Sequence, residues 1–275
     1  MYIFYPLYGL GNRMRVIDSA YRFCDTHHKK FRIYWKRDHV VNCPFNELFF
    51  PLDHLRESSS YKYIIFLHKL ERHFGLVRSL IKALEWCHIL KIFKEEQYEE
   101  LRAFTKKGGN KFLWVIVESY SVFYRTDEDD FLRDLFQLND SMSKRLSDET
   151  KAFKNHVIGV HVRRTDNKDS IERSPLELFI ARMEDEIAKD SSVQFYVASD
   201  DEDVKKQLLE LFGSERVILP TGLISRDSEE GIRQAVIEMY ALSKTNHILG
   251  SYYSSFSTAA SLVGNISKET LSINK

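Results

Sequence analysis

The chain has 275 residues, with 40 Lys and Arg against 40 Asp and Glu, and 43% of its residues are hydrophobic. That length and apolar share can fill the core of one large domain or two ordinary ones, and the charge balance argues against nucleic acid as the main partner. Cys24, Cys43 and Cys87 form no CxxC and read as reduced, packed thiols, which suits a cytoplasmic protein.

The N-terminus, MYIFYPLYGLGNRMR, lacks a basic leader and a small-residue cleavage site, so it reads as a first strand and not as a signal peptide. YIFYP, the glycine turn YGLGN, a helix over 14–28 and the strand FRIYW make a βαβ unit with parallel pairing. Residues 53–107 read as mostly helical. Within them, 62–94 carries seven Lys/Arg and two Glu, an excess of five, interleaved with aromatic and aliphatic residues. A solvated outer helix face accounts for this pattern; a second reading lays the segment on an anionic membrane face as a peripheral contact. FLWVIV (112–117) is a buried-strand pattern, and 127–154 has helical spacing and charge.

The second half is more regular. VIGVHVR (157–163), VQFYVAS (193–199), RVILP (216–220) and HILG (247–250) read as strands, with helices over 175–189, 202–212, 229–244 and from SFSTAASLVG onward. In the 229–244 helix, Ile232, Ala235, Val236, Met239 and Tyr240 make one apolar stripe. Successive β–α steps imply a parallel sheet with helices on both faces. A polar run at 147–155 marks the expected boundary between residues 1–150 and 151–275. The fold class expected is α/β, two Rossmann-like domains facing a cleft.

The chemistry concentrates in HVRRTDNKDSIE, residues 161–172. Alternation along a strand puts His161 and Arg163 on one side and Arg164 on the other, at the carboxyl end where open parallel sheets bind ligands. Arg163 thus stands where a phosphate would sit, its planar fork matched to two oxygens, while Arg164 can turn back to Asp166. The plainer reading is a surface ion pair at a strand end. The tail of the last strand, GSYYSSFSTAAS, runs serines into a helix start, a natural anion site, with Ser254 and Ser255 as cap and phosphate ligands. An ordinary serine N-cap explains the same residues. In VASDDEDV, Asp200 and Asp201 either accept hydrogen bonds from a base edge or cap the following helix.

HVRRTD resembles the HxRRTD motif of the α-1,6-fucosyltransferases, and VASDD and YYSSFSTAA resemble the later signatures of that superfamily in the same order. GLGNRM is similar to the glycine loop of the α-1,2, α-1,6 and protein O-fucosyltransferases. The resemblance covers most of 157–264 and a patch at 6–50. It implies a GT-B architecture, with GDP-fucose on the C-terminal domain and a glycan acceptor on the N-terminal one. Carried over, Arg163 would contact the β-phosphate, His161 and Asp200 the guanine, and Ser255 phosphate with Ser254 beside it. Gly9, Gly11, Asn12 and Arg13 would close over the donor. Such enzymes invert configuration and need neither metal nor other cofactor, and no His/Cys cluster stands at a strand end here. Glu172, with Asp169 second, is the candidate base. The family's glutamate sits one residue closer to the motif histidine, so a loop-capping role for Glu172 stays open.

GLGNRM has Met14 at the third glycine position of the dinucleotide fingerprint, which argues against NAD or FAD. WKRDHVVNCPFNELF resembles the family's stretch after the second strand; Asp38, Asn42 and Phe45 there either face the acceptor or cap and pack the loop. The expected activity is fucosyl transfer to a glycan hydroxyl in bacterial surface polysaccharide synthesis, in the cytoplasm or at the inner membrane face. A related transferase for another nucleotide sugar and a non-catalytic nucleotide- or glycan-binding module are the alternatives. The oligomeric state is open.

Overall fold

The computed structural model describes all residues except 58–65, 68, 72, 110, 127–132, 166–167, 223–224, 226 and 274–275. The chain divides into two compact units, Met1–Gln137 and Leu138–Lys275.

Unit 1 is built on β1 (Tyr2–Pro6), α1 (Leu10–Thr26), β2 (Phe31–Trp35), β3 (Leu55–Glu57), α2 (Gly75–Trp86), β4 (Leu90–Phe93), α3 (Tyr98–Lys106) and β5 (Trp114–Ser119). Its five strands run in the order β3-β2-β1-β5-β4. All neighbours are parallel, with Tyr2 opposite Phe31 on one side and Val115 on the other. Parallel strands are covered on both faces, and Phe4, Ile33, Val115 and Phe93 are accordingly buried.

Unit 2 holds α4 (Asp140–Glu149), β6 (Val157–Val162), α5 (Lys168–Arg173), α6 (Leu176–Lys189), β7 (Gln194–Ser199), α7 (Glu202–Phe212), β8 (Val217–Ile218), α8 (Glu229–Ser243), β9 (His247–Ser251), α9 (Ser255–Gly264) and β10 (Ser267–Leu271). Its sheet order is β10-β9-β6-β7-β8, again parallel throughout. The order reverses at the β6–β9 pair, the topological switch point of a doubly wound sheet. Ile158, Val160, Phe179, Phe195 and Leu249 form its closed core. Gly250 keeps α9 close: a Cβ there would meet Ser257 Oγ at 2.8 Å.

The boundary falls at Gln137–Leu138 and not at 150–151. The polar run was misleading because α4 packs into unit 2 on a narrow apolar seam. Met142 and Leu146 are buried, Arg145 pairs with Glu230 at 2.7 Å, and Glu149 accepts from Tyr196 and Thr221. The first helix begins at Leu10, earlier than the expected residue 14, because Gly9 serves as its N-cap in an extended conformation. Three strands escape the sequence patterns. β3 and β4 lie in a stretch read as helical, and β10 is the edge strand SKETL, mostly exposed. Cys24 and Cys43 are buried, whereas Cys87 is exposed and not packed as expected.

Candidate active site

The switch point of unit 2 gathers the motif residues. His161 pairs in register with Gly250, and Val162 with Ser199, so the carboxyl ends of β6, β7 and β9 finish side by side. Buried serines lock these ends. Arg163 N–H donates to Ser251 Oγ at 3.0 Å, Ser251 Oγ donates to His161 O, and Ser199 Oγ donates to Val162 O at 2.8 Å. The half-buried Arg163 is therefore held by its backbone at the end of β6, between the strand that leads to α9 and the one that leads to α7.

α9 starts here. Ser254 is its N-cap, its hydroxyl accepting from Ser257 N–H at 3.4 Å and lying 3.3 Å from His161 Nδ1. Ser255 is the first helical residue, half-buried, among the N–H groups that a helix start leaves without intrahelical partners. The ring of Phe256 stacks on His161 with centroids 5.0 Å apart. Burial lowers the His161 pKa to about 4, Arg163 and Lys268 adding to the effect and Asp200 opposing it, so the imidazole is neutral near pH 7. Tyr253, just before the cap, has φ of 57° and is 76% exposed. A left-handed tyrosine is strained and marks a turn that the surrounding structure over-determines.

Asp200 is engaged by the loop after β6. One carboxylate oxygen accepts from Arg164 N–H at 2.7 Å, and the other from the Thr165 hydroxyl at 2.6 Å and N–H at 3.3 Å. It clamps the loop after β6. Asp201 is the N-cap of α7, accepting from Asp203 and Val204. Arg164 braces the same loop by donating to Ser174 O at 2.8 Å; its expected partner Asp166 lies outside the described residues. Ser174, which sequence reading passed over, also donates to Leu271 O and accepts from Tyr252 N–H. A lone serine between two helices carries no pattern that would have singled it out. Asp169 and Glu172 share α5 and are both exposed.

The glycine loop belongs to unit 1. Arg13, expected to close over a ligand, is 1% exposed. Its guanidinium donates to Tyr8 O, Lys36 O and Asp38 Oδ1 and lies over Trp35. Arg13 thus ties the β1–α1 turn to the loop after β2, a role that corrects the donor-facing expectation. Asn12 is half-buried and accepts from Arg15, while Gly11 is buried in the first turn of α1. Gly9 has open space where a Cβ would stand. Asp38 caps its loop, accepting from Val40 and Val41 N–H at 3.0 Å. Burial alone would raise its pKa, but the Arg13 guanidinium and those two N–H groups bring it below the usual carboxylate range. Phe45 is buried core and Asn42 is half-buried, so capping and packing describe this stretch.

Unit 1 also has a cavity of about 680 Å³ at the carboxyl ends of its strands, lined among others by Leu7, Tyr8, Asp38, Lys94, Glu95 and Glu118. Its lining carries more carboxylates than cations. Tyr8, at φ 61°, donates its hydroxyl to Glu95 at 2.7 Å, and that bond, with burial, pushes its pKa up to about 12. Among the described residues, no group of three or more His, Cys, Asp or Glu could hold a metal ion.

No family model matches the chain, and no curated protein matches it. Solved structures do. The NodZ α-1,6-fucosyltransferase co-crystallised with GDP superposes with a TM-score of 0.67 at 18% identity, over 95% of this chain and 92% of that one; NodZ from Bradyrhizobium matches as well. The chain has the fold of these fucosyltransferases. An Arabidopsis thaliana FUT1 variant in complex with GDP gives 0.65 at 14% identity, over 98% and 70% of the two chains. POFUT1 with GDP gives 0.55 at 9% identity, over 99% and 98%. The fucosyltransferase fold is therefore present along nearly the whole chain.

Proposed function

We propose that this chain is an inverting, metal-independent glycosyltransferase of GT-B type that moves L-fucose from GDP-fucose to a glycan hydroxyl. The observation that carries the reading is the pairing, at one switch point, of Arg163 with the start of α9. In a fold shared with proteins solved with GDP, that pairing suits a diphosphate. His161, neutral and stacked on Phe256, suits a nucleobase better than an anion.

In the proposed reaction the bond between the fucose anomeric carbon and the β-phosphate oxygen breaks, and GDP leaves with the electron pair. Negative charge grows on that oxygen as the bond stretches. A guanidinium and helix N–H groups already oriented toward it stabilise the transition state more than the ground state. The acceptor hydroxyl bonds to the anomeric carbon from the opposite side and loses its proton to a base, for which Glu172 is the first candidate and Asp169 the second. Ser254 and Ser255 are assigned to the phosphates. Asp200, Arg164 and Asp166 are assigned to the loop that carries Arg163, and Gly9, Gly11 and Asn12 to the donor-facing turn of unit 1. We assign the activity to bacterial surface polysaccharide synthesis in the cytoplasm.

Thermal shift with GDP, UDP, ADP and GTP, followed by a GDP-fucose transfer assay on wild type and Glu172→Gln, tests the reading. Selective stabilisation by GDP and a large rate loss in Glu172→Gln are expected. Stabilisation by GDP without transfer to any acceptor would make the chain a nucleotide-binding module, and preference for UDP would point to another nucleotide sugar.

A further inference from the structure

The apolar residues of α2 are only half used. Val77, Ile81 and Leu84 are half-buried, yet no residue of this helix is buried. On the adjoining arc, Leu76 is 87% exposed, Leu80 59% and Trp86 83%, and Phe74 before the helix is 57% exposed. By contrast α8 buries Ile232, Val236, Ile237 and Met239. An exposed apolar arc of this size on one helix marks a contact surface.

Charge identifies the partner. Lys69, Arg78 and Lys82 are exposed along the same segment. Its two acids are neutralised from elsewhere, Glu71 by Lys94 at 2.8 Å and Glu85 by Lys91. The surface is therefore apolar and cationic. A second copy packed about a two-fold axis would set these cations against their own equivalents, whereas an anionic lipid surface complements both properties. Twelve residues of α2 span roughly 18 Å, too short to cross a hydrocarbon core. Among the described residues no helix is long and apolar enough to do so.

We propose that α2 docks this protein on an anionic phospholipid bilayer, lying in the interface with Leu76, Leu80 and Trp86 among the acyl chains and Lys69 and Lys82 at the headgroups. Arg78 of the same helix lines the unit 1 cavity, so a docked α2 holds that cavity at the bilayer surface. The contact stands whether or not the chain transfers fucose.

Flotation with phosphatidylglycerol-containing vesicles and with pure phosphatidylcholine vesicles tests it on the full chain. Wild type should float with the first and not the second, less so as salt rises. Lys69→Ala and Lys82→Ala should each weaken binding roughly fivefold, and Leu80→Glu tenfold or more. Matching melting temperatures, and matching stabilisation by GDP if wild type shows it, would establish that the variants are folded. Absence of wild-type binding to anionic vesicles, or undiminished binding by Leu80→Glu, would overturn the proposal. So would loss of a dimer on size exclusion in Leu80→Glu, which would make a second copy the occupant.

Discussion

The two units carry the same device, a parallel sheet whose order reverses beside its central strand, and they equip that point oppositely. In unit 2 an arginine stands half-buried at the end of β6 beside a capped helix start, with a neutral histidine in support. In unit 1 the arginine of the corresponding turn is 1% exposed and engaged with Tyr8 O, Lys36 O and Asp38, and the lining of the cavity nearby carries more carboxylates than cations. The lesson is that an arginine near a switch point is not in itself an anion site. Arg13 shows this, because its guanidinium is engaged by the protein's own carbonyls and a carboxylate.

That contrast can be broken most sharply at Arg13. Replacing it with Ala takes the guanidinium from Asp38, which keeps Lys36 and the Val40 and Val41 N–H groups. The loss should therefore fall at or below the low end of the about 3–5 kcal/mol that breaking a buried pair costs. Chemical denaturation should show that drop, with GDP binding by the remaining folded protein unchanged. A stable Arg13→Ala protein that no longer bound GDP would invert the roles assigned to the two arginines. Arg163→Ala is the mirror experiment. The melting temperature should hold while kcat for transfer falls ~10²–10³-fold, the usual consequence of removing a preorganised charge donor; rates within tenfold of wild type would end the assignment.

His161 sharpens the comparison through pH. Its pKa is about 4 in the folded state against an ordinary 6.5, so below pH 6.5 the unfolded chain binds the proton that the folded chain refuses. Stability should therefore fall as pH drops from 6.5 toward 4, by an amount of order 2–3 kcal/mol. His161→Gln should flatten that limb of the pH–stability curve, and an unchanged slope would place the titrating group elsewhere. The smallest effect belongs to Ser254→Ala, which takes the cap from Ser257 N–H and should cost ~1 kcal/mol by the same denaturation measurement.

Much of the fold was written in local pattern. Buried parallel strands must be apolar on both faces, so YIFYP, FRIYW, VIGVHV and QFYVAS announce themselves, and the chain order of strands and helices follows from their spacing. The place of HVRR at a strand end was legible for the same reason. The sequence by itself determined two doubly wound sheets and a cationic strand end beside a serine-rich helix start. Tertiary structure alone decided which unit owns α4, that SKETL pairs as an edge strand, and that Arg13 is braced inward. It also decided that Asp200 clamps a loop and that α2 leaves half its apolar surface uncovered. Each of these depends on a partner far away in sequence, such as Glu230 for Arg145 or Asp38 for Arg13, and local periodicity carries no record of which distant group will be there.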